Sequence, residues 1–163
     1  MAGCRTLTNA MPDDSYFIDA NVLLYLHDRR VTSKSQVAET WVRTLVSRGA
    51  AQTNLQVLNE VSSVLLKKKW YSDTETVFSI VDDFSQLGAE PVGPAETALA
   101  REIHLLTSYS WWDCLLLASA IQLGCTHFLS EDLQDGQRIV AGDGRGLTII
   151  DPFAHSPDQI LVS

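Results

Sequence analysis

The spacing of apolar positions changes several times along the chain, and each change marks an element. Residues 16–18, Tyr-Phe-Ile, are a short apolar run ending at Asp19, and residues 22–26 resume at helical spacing, which predicts strand, acidic tip, helix. Thr32 or Ser33 can cap a helix to about Arg48, Gly49 stops it, and residues 50–53 can form a short strand. From Leu55 to Lys69 the apolar positions Leu58, Val61 and Leu65, with Val57 and Val64, predict an amphipathic helix. Asp73 opens another helix that Gly88 closes, residues 90–92 are a strand candidate, and Pro94 starts a helix to about Leu106. Residues 113–123 are apolar nearly all round (Cys114, Leu115, Leu116, Leu117, Ala118, Ala120, Ile121) up to Gly124, the pattern of a buried helix. Residues 126–129 are a strand candidate, 130–136 a polar turn, and 147–150 a final strand before Pro152.

Helices alternating with short, fully apolar strands predict an α/β fold, a three-layer α/β/α sandwich around a short, mainly parallel sheet. No repeat or linker interrupts the pattern, so residues 1–163 are expected to be a single domain with its core at about 16–153. A chain of this length buries roughly 70% of its unfolded surface and needs no covalent staple. Its three cysteines, Cys4, Cys114 and Cys125, are odd in number and lack metal-ligand spacing, which argues against a disulfide framework or a zinc site and points to a reducing cytoplasm. No apolar stretch reaches the ~20 residues of a membrane span, and the first residues lack the apolar centre of a secretory signal. The net charge of -8 argues against indiscriminate nucleic-acid binding, which rests on Lys and Arg. A nucleic-acid substrate is compatible with that charge if part of it sits in a divalent-metal site.

In open parallel sheets ligands bind beyond the carboxyl ends of the strands, and two acids fall there. Asp19 follows the first strand directly, and Asp132 follows the strand at 126–129 by a few residues. Each has a structural explanation too. Asp19 can cap the following helix, and Asp113 stands in the S-x-x-D spacing of a capping box with Ser110. Capping does not account for an acid between Trp112 and Cys114 at the start of a buried helix, where a carboxylate needs a partner such as a metal ion. Glu60 shares a helical side with Gln56, Ser63 and Lys67, as a solvated glutamate would. Within Ser-Glu-Asp-Leu-Gln-Asp-Gly from Ser130, position alone does not choose among Glu131, Asp132 and Asp135.

The segments FIDANVLLY with Asp19, LNEVSSVLL with Glu60, SWWDCLLLASAIQLGC with Asp113 and FLSEDLQDG with Asp132 resemble, in order and surroundings, the four acidic motifs of PIN domains. The resemblance extends from about Tyr16 to Phe153 and is greatest to the VapC-type toxin ribonucleases of bacterial toxin–antitoxin pairs. It implies a Rossmann-like, PIN-like fold in which Asp19, Glu60, Asp113 and Asp132 are catalytic and metal-binding. Ser130 would steady the last motif, and Asn21 would orient Asp19. It also implies an RNA substrate, a homodimer and a small antitoxin partner.

Clustered carboxylates without Cys or His select Mg²⁺ or Mn²⁺, one ion or two, and suit phosphodiester hydrolysis by activated water. Lys67, Lys68 and Lys69, with Arg29, Arg30, Arg43 and Arg48, are candidate phosphate contacts, and Trp111 and Trp112 are candidate base-stacking residues. Three alternatives remain: a housekeeping PIN-type nuclease in RNA processing, a metal-dependent phosphatase, and a non-catalytic nucleotide-binding or receiver module. An aspartyl phosphatase would want a second Asp where Asn21 stands, and a receiver's acidic pair is missing at the end of the first strand. The only glycine-rich stretch, GDGRG from Gly142, precedes a strand and is no phosphate loop.

Overall fold

The computed structural model describes residues 13–161. Cys4 lies outside them, and Cys114 and Cys125 are free, buried thiols. Five strands form one sheet in the order β2-β1-β3-β5-β4: β1 (Tyr16–Ile18), β2 (Ala51–Gln52), β3 (His127–Leu129), β4 (Arg138–Val140) and β5 (Gly146–Ile150). All neighbours are parallel except β4, which pairs antiparallel with β5.

The helices are α1 (Ala20–Tyr25), α2 (Thr32–Ser47), α3 (Leu55–Lys68), α4 (Thr74–Ser85), α5 (Pro94–Leu106), α6 (Trp111–Gln122) and α7 (Pro157–Ile160). From β1 the chain reaches β2 on one side through α1 and α2, and returns past β1 to β3 through α3 to α6. Right-handed crossovers in opposite directions put their helices on opposite faces, so the sheet is the middle layer of a sandwich. The same reversal makes the gap between the carboxyl ends of β1 and β3 the topological switch point.

The central strands are buried on both faces. Tyr16, Phe17 and Ile18 pack with Phe128 and Leu129, and the rings of Phe17 and Phe128 stack across the β1–β3 pair. On α6 every residue from Cys114 to Ile121 is buried. Each such leucine or isoleucine contributes about 1.5–3 kcal/mol relative to an exposed one, which offsets the weak local preference of so short a sheet. Trp41 of α2 is fully buried and donates its indole N–H to the carbonyls of Pro152 and His155, fixing the C-terminal segment against the helix.

Two expectations need correction. Residues 90–92 are not a strand: the chain there runs beside the end of β2, where Thr53 donates to Leu87 O and Leu55 to Glu90 O without forming a ladder. Gly88 is required at this crossing. Its φ is +132°, and a Cβ would lie 2.6 Å from Thr53 O. Second, the buried helix begins at Trp111 rather than Asp113, because Ser110 supplies its cap. The GDGRG stretch is the turn of the β4–β5 hairpin, whose strand β5 matches the predicted final strand and whose strand β4 has no predicted counterpart.

Candidate functional site

The register that pairs Ile18 with Leu129 brings Asp19 and Ser130 together just past the strand ends. Asp19 N–H still donates to Leu129 O at 3.1 Å, so the sheet itself fixes the backbone of this acid. Asp19 is also the N-cap of α1, but its Oδ1 takes the N–H of Ala20 at 2.7 Å, at the very first helical position. Its Oδ2 accepts from Ser130 Oγ at 2.8 Å and from Asn21 Nδ2 at 3.3 Å. One side chain therefore caps α1 and stands at the strand-end crevice.

Asn21 ties the first and last acidic segments together. Its Nδ2 also donates to Ser130 Oγ at 3.0 Å and to Asp132 Oδ2 at 2.9 Å. Ser130 is fully buried, and its Oγ accepts from the N–H of Asp132 at 3.2 Å. Asn21 thus does more than orient Asp19, since it spans Asp19, Ser130 and Asp132. Its own Oδ1 is buried and makes no hydrogen bond among the described residues.

The three acids of the last segment are now distinguishable by their partners. Glu131 accepts from Lys34 and, at 2.6 Å, from the Tyr25 hydroxyl. Lys34 also lies 5.0 Å from the ring centres of Tyr25 and Phe153, so the Glu131 charge is answered locally. Asp135 takes the N–H of Asp151 at 2.9 Å and His155 Nε2 at 2.7 Å. Asp132 alone turns toward Asn21. Tyr25 closes the FIDANVLLY segment and Lys34 lies outside every motif; their engagement with Glu131 becomes visible only because the fold brings them together across 106 and 97 residues of sequence.

Glu60 and Asp113 complete the group from α3 and α6. Asp113 receives a 2.8 Å hydrogen bond from Ser110 Oγ, and its N–H donates to that oxygen at 3.1 Å, a reciprocal cap through the hydroxyl. Glu60 is open to solvent on one side, as its helical position suggests, but its charge is raised in energy by those of Asp113 and Asp132. Partial desolvation first, then those two carboxylates, lift the Glu60 pKa above its ordinary value.

Asp19 is the extreme case, at 6% exposure. Its carboxyl is pushed up from 3.8 to about 7, chiefly by burial. The hydrogen bonds from Ser130 and Ala20 favour the anion and pull the other way, and the charges of Glu60 and Asp113 raise the value further. Among the described residues no Lys, Arg or His forms an ion pair with Asp19, Glu60, Asp113 or Asp132.

A family model for the PIN domain matches residues 16–140, a span that contains all four of these acids. The chain belongs to the PIN-domain family. PIN domains are nucleases, and membership supports nuclease chemistry here. A solved structure described as VapBC2 from Rickettsia felis, bound to a DNA fragment from their promoter, resembles this PIN domain with a TM-score of 0.53. The match covers 71% of this chain and 85% of that one at 16% identity, and at that identity it is the fold that is shared. A comparison with curated proteins finds no match.

A divalent cation fits this PIN domain by the chemistry of its donors. All are oxygens, one carboxylate is buried without a compensating cation, and an amide oxygen beside it is unsatisfied. Among the described residues no three acids, imidazoles or thiols form a ready-made metal cage. The arrangement is an open rim around one buried acid, which suits an ion that keeps several of its waters, as Mg²⁺ does. Among the described residues no helix is long and apolar enough to cross a membrane.

Proposed function

We propose that this PIN domain is a Mg²⁺- or Mn²⁺-dependent endoribonuclease and the toxin of a toxin–antitoxin pair. The observation that carries the proposal is Asp19, a buried carboxyl at the switch point, surrounded by three more acids and by no basic partner among the described residues. Retaining such a group costs stability unless a cation completes it.

In this assignment Asp19, Glu60, Asp113 and Asp132 supply the oxygens that hold the ion. Ser130 and the Ala20 N–H fix the Asp19 carboxylate, and Asn21 keeps Asp132 aligned with it. A bound divalent ion supplies charge stabilisation at the phosphoryl oxygens and a more acidic water. Hydrolysis then forms a bond from water oxygen to phosphorus and breaks the ester bond to the leaving oxygen, which takes a proton. Lys67 lies seven residues from Glu60 on the same side of α3, about 10 Å along the axis, where it can meet a neighbouring phosphate. The likeness to a VapBC2 structure and the resemblance of the acidic motifs support the toxin assignment, an antitoxin partner and a homodimer.

The test has two arms. Purified protein should cleave single-stranded RNA with Mg²⁺ or Mn²⁺, stop in EDTA, and be inert as Asp19→Asn or Asp132→Asn. Induced in a bacterial host, the wild-type chain should arrest growth while equally expressed Asp19→Asn is harmless, and the product of a neighbouring antitoxin gene should restore growth. Cleavage in chelator by a protein whose Asp113→Asn variant is inert would refute the metal mechanism. Cleavage in vitro without growth arrest would favour a nuclease of RNA processing over a toxin.

A further inference from the structure

Trp112 breaks the pattern of its helix. The eight residues that follow Asp113 on α6 are all buried and Trp111 packs edge-on to His104, yet the Trp112 indole is 66% exposed. It borders a groove of about 830 Å³ that also touches Glu60, so the groove meets the acidic site at its Glu60 edge. Leu55, 40% exposed, and Val92 extend the apolar surface beside the ring.

The α3 wall is different in kind. Gln56, Asn59 and Ser63 line it, and among the described residues their side chains make no hydrogen bonds within the protein. An exposed aromatic ring sharing one groove with free amides and a hydroxyl is a combination that can hold an unstacked base, by its π-face and by its polar edge. The lining has one acid, Glu60, and no Lys or Arg, so it favours a neutral ring over a phosphate. A docking protein helix would instead look for a row of apolar pockets, which Gln56, Asn59, Glu60 and Ser63 on α3 do not offer.

We propose that this groove is the subsite for one splayed-out base of single-stranded RNA, with Trp112 as its stacking face and Asn59 and Gln56 as readers of its edge. The inference rests on the ribonuclease assignment and specifies where that enzyme grips its substrate beside the cut.

The test uses fluorescein-labelled single-stranded octaribonucleotides of randomised sequence, and a ribose-phosphate octamer lacking bases. Binding is measured in Mg²⁺ on the Asp19→Asn background, which prevents cleavage, and KM and kcat are measured on the active chain. Trp112→Ala should weaken octamer binding and raise KM on the order of tenfold while Trp112→Phe retains most of the affinity. The base-free octamer should bind both proteins equally weakly, and the exposed ring's removal should leave the melting temperature nearly unchanged. Equal binding by Trp112→Ala and wild type, while Asp19→Asn still abolishes cleavage, overturns the groove assignment and leaves the nuclease standing. The same result with lost binding of a co-expressed antitoxin assigns the groove to a protein partner instead, and also overturns it. Failure of the wild-type chain both to bind octamers and to cleave RNA removes the ribonuclease assignment and the subsite together.

Discussion

Replacing Asp19 by Asn tests whether this acid is a burden on the metal-free fold or merely a helix cap. In the metal-free chain the folded-state pKa is about 7 against an ordinary 3.8. Between those values the folded chain holds a proton that the unfolded chain has lost, so stability falls as pH rises, by about 1.4 kcal/mol per pH unit. From pH 5 to pH 7 the loss is on the order of 2 kcal/mol, and above pH 7 it levels off. His27 and His127, both depressed chiefly by burial, act in the opposite sense below their ordinary 6.5, so the wild-type curve alone is ambiguous. The difference between wild type and Asp19→Asn cancels them.

The variant loses a carboxylate acceptor for Ser130 and Asn21, a roughly pH-independent cost of about 1–2 kcal/mol. Wild type should therefore be the more stable protein at pH 5, and Asp19→Asn the more stable at pH 8. At roughly 2–4 °C per kcal/mol, the melting-temperature difference should swing by about 5–10 °C across that range. The assay is thermal unfolding in EDTA at half-unit pH steps. Magnesium should restore the wild-type chain at pH 8, since an ion bound only by the folded state stabilises it. Parallel curves for the two proteins, with the variant lower throughout, would mean that Asp19 is only a cap.

Lys34→Met removes the cation that holds Glu131; cleavage should drop about tenfold while thermal stability stays within ~3 °C, because a partly exposed salt bridge contributes little to folding. Glu131→Gln, which can still accept from Tyr25 and Lys34, should stay near wild-type activity, and an equal loss in both variants would refute positioning by the pair. RNA affinity should depend weakly on salt, with a log–log slope of roughly −1 to −2, because few basic residues can reach the backbone. Lys67→Ala should reduce that slope by ~0.7, and a wild-type slope beyond about −4 would show that a larger basic surface has gone unrecognised.

The elements with a strong apolar period were legible in the sequence, and those made by pairing were not. α3 and α6 carry their burial in their own residues, whereas β4 is three residues long and owes its existence to pairing with β5. Residues 90–92, between Gly88 and Pro94, read as a strand candidate, but no ladder forms there. In the site, the four acids were chosen by resemblance, and Glu60 by its own spacing belongs to the solvated side of α3. What separates Asp132 from Glu131 and Asp135 is the distribution of partners, and Lys34, Tyr25, His155 and Asp151 stand 97, 106, 20 and 16 residues away from the acids they engage. Local sequence carries no trace of such pairings.

The net charge of -8 is at odds with an RNA substrate until the charges are assigned to places. Glu131, Asp135, Asp28 and Asp143 are each answered by a local partner, whereas Asp19, Glu60, Asp113 and Asp132 converge on one site with no ion-pair partner among the described residues. Divalent ions held there would reverse the sign of the site toward a phosphate without changing a residue. Attraction would then be concentrated at the cut and absent over most of the surface, and contacts to the base would have to supply what Lys and Arg do not. In the proposed ribonuclease the exposed Trp112 indole, in one groove with Gln56, Asn59 and Glu60, would supply those contacts, so the acidic composition and the Trp112 groove belong to one account of selective rather than indiscriminate RNA binding.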